Sequence, residues 1–430
     1  MRVLIVAHEY PPIYSAGTER ALKFAQHLPD FGFEALVLTT SRYGSLDSDH
    51  EKRVHRAADL VHNLFSPLRQ RKASDLPQEM QSRVATISNS NWLGRLRDVI
   101  MIPDTKIGWL LPATKLGQAL IEEYQPSLIF STSPPETTHL VALQLSRKNN
   151  LPWIADMRDG WLFEPLHPDL RQLLIRRTLE SWLESQMMSQ ASAVTAVTAP
   201  LADDLGKRYP QVADKIKIIS NGYDQAEFAG LVRQRQPDGT FLLVHTGSVS
   251  LSRKADSADA FFTALAALVQ SDPNTPLRVR FVGNMSVQEQ ATAHALGLSK
   301  IVTFIPPVSR REAHQHQLDA DALLLITPAH VRSGASLKLF DYIGANIPML
   351  ALAEGNAAAG IVQQYGLGIT AAPDDPIAIT QAMRELMERR KAGEAWPGFA
   401  EAQAVFERRR LTSQLAHVFD RVLASSPKSP

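Results

Sequence analysis

Short apolar runs alternate with longer amphipathic stretches along the whole chain. VLIVA (3–7), ALVLTT (35–40), SLIFST (127–132), PWIAD (152–156), AVTAV (193–197) and IKIIS (216–220) read as strands, most of them bounded by small or turn-forming residues. Between them, segments such as ERALKFAQHL and LRQLLIRRTLESWLESQMM repeat their apolar residues at helical spacing. Strand and helix in alternation predict a parallel, doubly wound sheet. The rhythm then restarts with FLLVHTG (241–247), RVRFVG (278–283), IVTFIPP (301–307), ALLLITP (322–328), PMLALA (348–353) and GLGITAA (366–372). Between the two sets, LVRQRQPDGT (231–240) interrupts both patterns with polar residues, Pro237 and Gly239, and predicts the domain boundary. The expectation is a first Rossmann-like domain over 1–230 and a second over 231–404, with the last helix-like segment, 405–430, packing back on the first. Residues 41–110 are less periodic, carry prolines and basic residues, and read as an elaborated insertion.

Composition supports this division. A chain of 430 residues that is 44% hydrophobic exceeds what one core usually organises. The net charge of +1 lacks the electrostatic footprint of a nucleic-acid binder, and Arg69, Arg71 and Lys72 read as a solvated loop. Without cysteine there is no disulfide, no thiolate catalysis and no Cys-ligated metal, which suits a reducing cytoplasm. The apolar run in MRVLIVAHEYPP is shorter than a signal-peptide core, and no stretch has the length of a membrane span. A cytoplasmic protein is expected, lying at most on the inner face of a membrane.

Candidate chemistry gathers where strands end. In HEYPPIYSAGTERALKFAQHL, Ala16 and Gly17 let a ligand approach the backbone and Glu19 opens a helix, whose unpaired N–H groups suit a phosphate. An ordinary strand-to-helix turn is the plainer reading. The loop is not a G-x-G-x-x-G fingerprint, and Thr39 and Thr40 stand where a dinucleotide site wants an acidic ribose ligand, which disfavours an NAD-dependent dehydrogenase. HTGSVSLSRKADSADAFFTAL repeats the arrangement: Gly247 follows a strand, and Arg253 and Lys254 precede a helix, placed for a diphosphate or as exposed loop cations. Gly283, in FVGN, again permits close approach. In SGASLKLFDYIGANIPMLAL (333–352), Ser333, Gly334, Ala335 and Ser336 form a loop and helix start able to receive a phosphate. That helix carries Lys338 and Asp341 on one face and is expected to stop at its glycine, Gly344; a local ion pair is the plainer account of the two charges.

In this order and spacing, PPIYSAGTERALKFAQHL, IISNGYDQAEF (218–228), HTGSVSLSR (245–253) and KLFDYIGANIPMLAL (338–352) resemble the retaining glycosyltransferases of family 4. FSTSPPETTHL (130–140) and PWIADMRDGW (152–161) look most like bacterial surface-polysaccharide enzymes of that family. The resemblance implies the α/β GT-B fold, two Rossmann-like domains facing each other across a cleft, with the acceptor on the first and the nucleotide-sugar donor on the second. It implies that Gly17 bounds the donor phosphate pocket, and that Gly247, Ser248, Arg253, Lys254, Gly283, Ser333, Gly334, Ala335, Ser336, Lys338 and Asp341 line the donor site. Arg253 falls at the family's phosphate-binding lysine, and Ser248 at its usual arginine. Asp341 matches the second of two ribose-holding glutamates, while Ser333 replaces the first; Lys338 would offset part of that loss by contacting phosphate. On the acceptor side stand Arg158 and Asp159, with Asp159 a candidate to orient the acceptor hydroxyl or relay its proton, and a salt bridge or helix cap as the competing role. His139 reads as a helix residue and His8 as a shaper of the cleft.

The implied reaction moves a sugar, with retention, from a nucleotide-diphosphate sugar to a saccharide or lipid-linked saccharide in surface polysaccharide or glycoconjugate synthesis. Arg253 and Asp159 are the expected catalytic residues. No metal or other cofactor is expected: no Asp-x-Asp site ends a strand, and Asp203–Asp204 and Asp374–Asp375 read as helix-start or loop pairs. Residues 65–110 read equally as a membrane-facing surface or an ordinary insertion. Two alternatives remain, a nucleotide-sugar 2-epimerase, which lacks a visible acid/base constellation here, and a catalytically silent nucleotide-sugar-binding protein.

Overall fold

Every apolar run named above forms a strand in the structure, a computed structural model that describes residues 1–13, 16–44, 52–60, 100–164, 173–236, 238–249, 257–327 and 331–425. The first set gives β1 (Arg2–Val6), β2 (Glu34–Thr40), β4 (Leu128–Ser133), β5 (Trp153–Met157), β6 (Ala193–Ala196) and β7 (Ile216–Ile218). The insertion adds β3 (Val54–Ala57), a four-residue edge strand pairing with β2. Its sequence, VHRA, has no apolar run to announce it. The second set gives β8 (Phe241–Thr246), β9 (Leu277–Val282), β10 (Val302–Ile305), β11 (Ala322–Ile326), β12 (Met349–Leu352) and β13 (Gly368–Ala371). The two sheets run in the orders β3-β2-β1-β4-β5-β6-β7 and β10-β9-β8-β11-β12-β13, with every pairing parallel. Strand order therefore reverses between β1 and β4, and again between β8 and β11, and the carboxyl ends beside such a reversal are where doubly wound sheets bind ligands.

The helices are α1 (Ala16–His27), α2 (Leu110–Tyr124), α3 (Thr137–Asn149), α4 (Leu174–Gln190), α5 (Ala199–Arg208), α6 (Asp259–Ser271), α7 (Val287–Ala295), α8 (Arg310–Asp319), α9 (Leu337–Ala345), α10 (Ala357–Tyr365), α11 (Pro376–Ala392), α12 (Phe399–Phe406) and α13 (Arg408–Ser425). Capping boxes start α7 and α8, through Ser286 with Glu289 and Ser309 with Glu312. Helix α9 runs through Gly344 and ends on Asn346 in the left-handed conformation, which corrects the expected glycine stop. Gly344 answers a packing need instead: a Cβ there would lie 2.6 Å from the Tyr223 ring and 2.7 Å from that of Phe228.

The chain divides into one unit of residues 1–220 with 411–430 and a second of residues 221–410. Alternate residues of each strand feed opposite faces. In the first unit Val3 and Ile5 pack with α1 and the C-terminal Leu411, Leu415 and Phe419, while Leu4 and Val6 join a core with α2 and α3. In the second, Leu243 faces a core with α6 and α11, and Leu242 and Val244 one with α9, α10 and α12. The first division precedes the polar stretch 231–240 because Tyr223 and Phe228 already belong to the second unit's core.

One buried ion pair ties the first unit together. Arg20 on α1 forks onto Asp156 of β5 through Nε at 2.9 Å and Nη2 at 2.8 Å, with both side chains wholly buried. Further hydrogen bonds support the pair: Arg20 also donates to the carbonyls of Ser220 and Ile219, at 2.7 and 2.8 Å, and Asp156 accepts from Thr132 and Thr195, at 2.7 and 2.6 Å. Burial alone would raise the Asp156 pKa, but Arg20 and the two hydroxyls outweigh it and hold the carboxyl below its ordinary 3.8. On α3, the buried His139 hydrogen-bonds Ser131 through Nδ1 and Ser133 through Nε2, each at 2.8 Å. Burial is the main cause that pulls its pKa down to about 3, and burial together with Lys338 does the same to His245 in the second unit.

Arg20→Leu leaves the Asp156 carboxylate buried without its cation and is expected to cost about 3–5 kcal/mol, read as a lower urea midpoint. Arg20→Lys, which cannot fork, should recover only part of this. Acidification separates the carboxylate from the histidines. The stability from Asp156 is present above pH 3.8 and is lost only as the pH falls through its lower folded value. His139 and His245 are neutral in the fold and protonate on unfolding, so stability falls as the pH drops below 6.5, by about 2 kcal/mol per histidine at pH 5. Urea titrations at pH 7.5 and pH 5 measure that loss, and a folded His139→Gln variant should show a shallower pH slope.

Candidate functional site

In the second unit the site forms at the carboxyl end of β8. Gly247 leaves the strand with φ +94, a left-handed conformation that favours glycine, and its N–H donates to the Val282 carbonyl at 2.7 Å. Gly283 leaves β9 at φ +140, and a Cβ there would lie 2.5 Å from the Gly247 carbonyl oxygen. Two glycines thus let two backbones touch. Lys338, in the first turn of α9, lies over them: a Cβ on Gly247 would fall 2.9 Å from the lysine Cε. Its Nζ donates to the Ser248 carbonyl at 2.6 Å and lies 3.4 Å from His245 Nε2.

The structure therefore brings Gly247, Ser248, Gly283 and Lys338 together. Ser336 is the N-cap of α9 and makes no side-chain cap there. Before it, Gly334 donates to the Val331 carbonyl at 3.0 Å and accepts from Ala358 at 3.0 Å, docking the loop on the start of α10. Ser333 and Ala335 are half-buried in that loop. Arg253 and Lys254 lie outside the described residues.

Asp341 serves a different set of partners from Lys338, so the expected ion pair between them is not what fixes either one. Its carboxylate lies 3.3 Å from Arg310 Nη2 and 3.9 Å from His314 Nε2. Arg310 also binds Glu227 at 2.7 Å, and the His314 ring stacks on Phe228 at 4.5 Å. Glu227, His314 and Asp341 bring ligand-type atoms within 4.8 Å of one another. Arg310 already supplies a positive charge to both carboxylates, so the group is a salt-bridge network that orients Asp341. Arg310, His314 and Glu227 were not singled out from the sequence: Glu227 lies within IISNGYDQAEF but was given no role, and no motif marks Arg310 and His314 on α8.

In the first unit Gly17 and Arg158 meet. A Cβ on Gly17 would lie 2.0 Å from Arg158 Nη1, so the guanidinium rests on the first turn of α1. Arg158 is held by main-chain carbonyls, donating through Nε to Ser133 at 2.9 Å and through Nη2 to Pro134. Burial pulls its pKa below the usual arginine value, and Asp159, Glu9 and Asp156 oppose that pull. The residue assigned to the acceptor side thus touches the one assigned to donor phosphate. Asp159 is half-buried beside it. His8 is buried, 3.6 Å from Asp59 and edge-on to Trp109 at 5.2 Å. Among the described residues no helix is long and apolar enough to cross a membrane.

The two units match two family models in turn. A glycosyl transferase 4-like domain covers residues 16–222, and glycosyl transferases group 1 covers residues 240–389. Glycogen synthase of Mycobacterium tuberculosis is 23% identical over 426 residues, 96% of this chain and 91% of that protein. Among solved structures, Anabaena Alr3699/HepE in complex with UDP-glucose gives a TM-score of 0.60 at 16% identity, over 98% of this chain and 100% of that one. WaaG, a glycosyltransferase involved in lipopolysaccharide biosynthesis, gives 0.61 at 16% identity, over 97% and 99%. The structural likenesses establish the fold, GT-B, and the family models establish the lineage. With one model over each parallel-sheet unit, the chain belongs to the glycosyltransferases of the family 4 type.

Proposed function

We propose that the enzyme transfers a sugar, with retention, from a nucleotide-diphosphate sugar to a saccharide or lipid-linked saccharide in surface polysaccharide or glycoconjugate synthesis. The observation that carries the donor reading is the Lys338 ammonium, held over Gly247 at the carboxyl end of β8, where the chain bares its backbone. A diphosphate bound there would meet a fixed cation and the start of α9, which favour the charge that develops as the glycosidic bond breaks. UDP-glucose in the Anabaena relative supports a nucleotide sugar as the donor class. Asp341, oriented by Arg310 and His314, is read as the ribose ligand.

In the proposed reaction the bond from the anomeric carbon to the diphosphate oxygen breaks, and the acceptor oxygen attacks from the same face. The acceptor proton passes to the departing diphosphate, and Asp159 orients the hydroxyl. Electrostatic stabilisation by protein groups suffices for this scheme, and no metal is assigned a role in it. Arg158, lying against the first turn of α1 and held by the Ser133 and Pro134 carbonyls, is read as a further anion-facing cation, in line with the implied role of Gly17. The surface-polysaccharide assignment and a peripheral membrane contact rest on the likeness of FSTSPPETTHL and PWIADMRDGW to such enzymes. The segment proposed for that contact, 65–110, is described only from residue 100 onward.

Calorimetric titration with UDP, GDP and ADP tests the donor site. Selective binding of one of them is expected, weakened about 10- to 100-fold by Lys338→Met or Asp341→Ala, the range for losing a hydrogen bond to a charged group. Failure of the folded protein to bind any of the three would refute the reading. A second test concerns geometry in the first unit. Gly17→Ala should fold, because only the end of the Arg158 side chain must shift, yet should slow sugar transfer about 10-fold or more by displacing the guanidinium. A full transfer rate in Gly17→Ala would remove Arg158 from the mechanism.

A further inference from the structure

We propose that His245 is a positioning residue for diphosphate binding: its Nε2 lone pair holds the Lys338 ammonium at the end of β8. This rests on the reading of Lys338 given above. His245 is wholly buried in β8, with its ring 5.6 Å from that of Phe281. Its Nδ1 lies 2.8 Å from the Leu324 carbonyl on the neighbouring β11. A carbonyl can only accept, so Nδ1 carries the hydrogen and Nε2 presents a lone pair. The group facing that lone pair at 3.4 Å is Lys338 Nζ, which can only donate.

The two contacts thus fix the tautomer from both sides. Burial and the lysine charge hold the His245 pKa down to about 3, against the opposing pull of the Leu324 and Ser248 carbonyls. The ammonium is then tethered at two points, Nε2 of His245 and the Ser248 carbonyl at 2.6 Å, while its stem is seated on Gly247. A lysine ordinarily loses much rotamer freedom when it grips an anion. Here that freedom is already restricted before any ligand arrives, because a buried residue of the interior strand β8 is a histidine whose second nitrogen faces Lys338 on the helix.

A double-mutant cycle tests the idea, using whichever of UDP, GDP and ADP the parent binds. His245→Phe keeps an aromatic ring against Phe281 and removes the acceptor. It is expected to weaken the diphosphate about tenfold, an interaction of roughly 1.4 kcal/mol. The double variant with Lys338→Met should bind no more weakly than Lys338→Met alone, and His245→Gln, which restores an acceptor oxygen, should recover most of the affinity. Thermal melts confirm that each variant is folded; if His245→Phe is not, His245→Ala in the same cycle replaces it. Additive losses, or parental affinity in the folded His245 variant while Lys338→Met is weakened, would overturn the inference and leave the phosphate role of Lys338 standing. Parental affinity in Lys338→Met, or no binding by the parent, would overturn both.

Discussion

The geometry of the first unit depends on the ion pair between Arg20 and Asp156. Two charges taken out of water are costly unless every valence is met, and here the fork is closed by two hydroxyls on the carboxylate and two carbonyls on the guanidinium. The consequence is positional. Arg20 lies three residues beyond Gly17 on α1, and Asp156 lies two residues before Arg158 at the end of β5. Fixing the first pair sets the register in which the second pair meets, so the contact of Arg158 with the first turn of α1 follows from a bond made deeper in the core.

The second unit reaches a comparable precision by steric means. Gly283 admits the Gly247 carbonyl, and Gly247 admits the stem of Lys338; a side chain at either glycine would push the strand ends or the lysine away. Lys338 and Asp341 sit one helical turn apart yet point to different partners, one to the end of β8 and the other to α8. A short helix that starts without a side-chain cap and is anchored on both flanks presents its first turn at a defined height above the sheet.

Most of the fold was legible because short continuous apolar runs and helical spacing are local properties, and both sheets are built from such runs buried on both faces. β3 escaped because a half-exposed edge strand of four residues needs no apolar run. The division near residue 220 escaped because Tyr223 and Phe228 pack by contacts made far along the chain, under Gly344. Glycine did mark close approaches at Gly17, Gly247 and Gly283, although what each admits in the structure is protein: the Arg158 guanidinium, the Lys338 stem and the Gly247 carbonyl. Partners were not legible. Asp156 and His245 did carry a signal, a polar residue inside an apolar run, which in a buried strand must find partners from elsewhere. Glu227 lay inside a quoted stretch with no role read for it, and Arg310 and His314 carried no signal, since the three converge only through tertiary packing. Gly344 shows the converse error, a glycine read as a helix stop when its lack of a side chain serves an aromatic neighbour.

The cations of the two units fall into two kinds, and the distinction is electrostatic. Arg20 and Arg310 are held by carboxylates, so their charge is largely balanced where it stands. The hydrogen bonds described for Lys338 and Arg158 go to a neutral imidazole and to main-chain carbonyls. Neutral acceptors fix a cation in place without cancelling its field, and in a partly buried setting that field acts over several ångströms with little screening. A cation anchored in this way is already in position, so under the proposed function it would stabilise a leaving diphosphate without reorganising as the bond breaks.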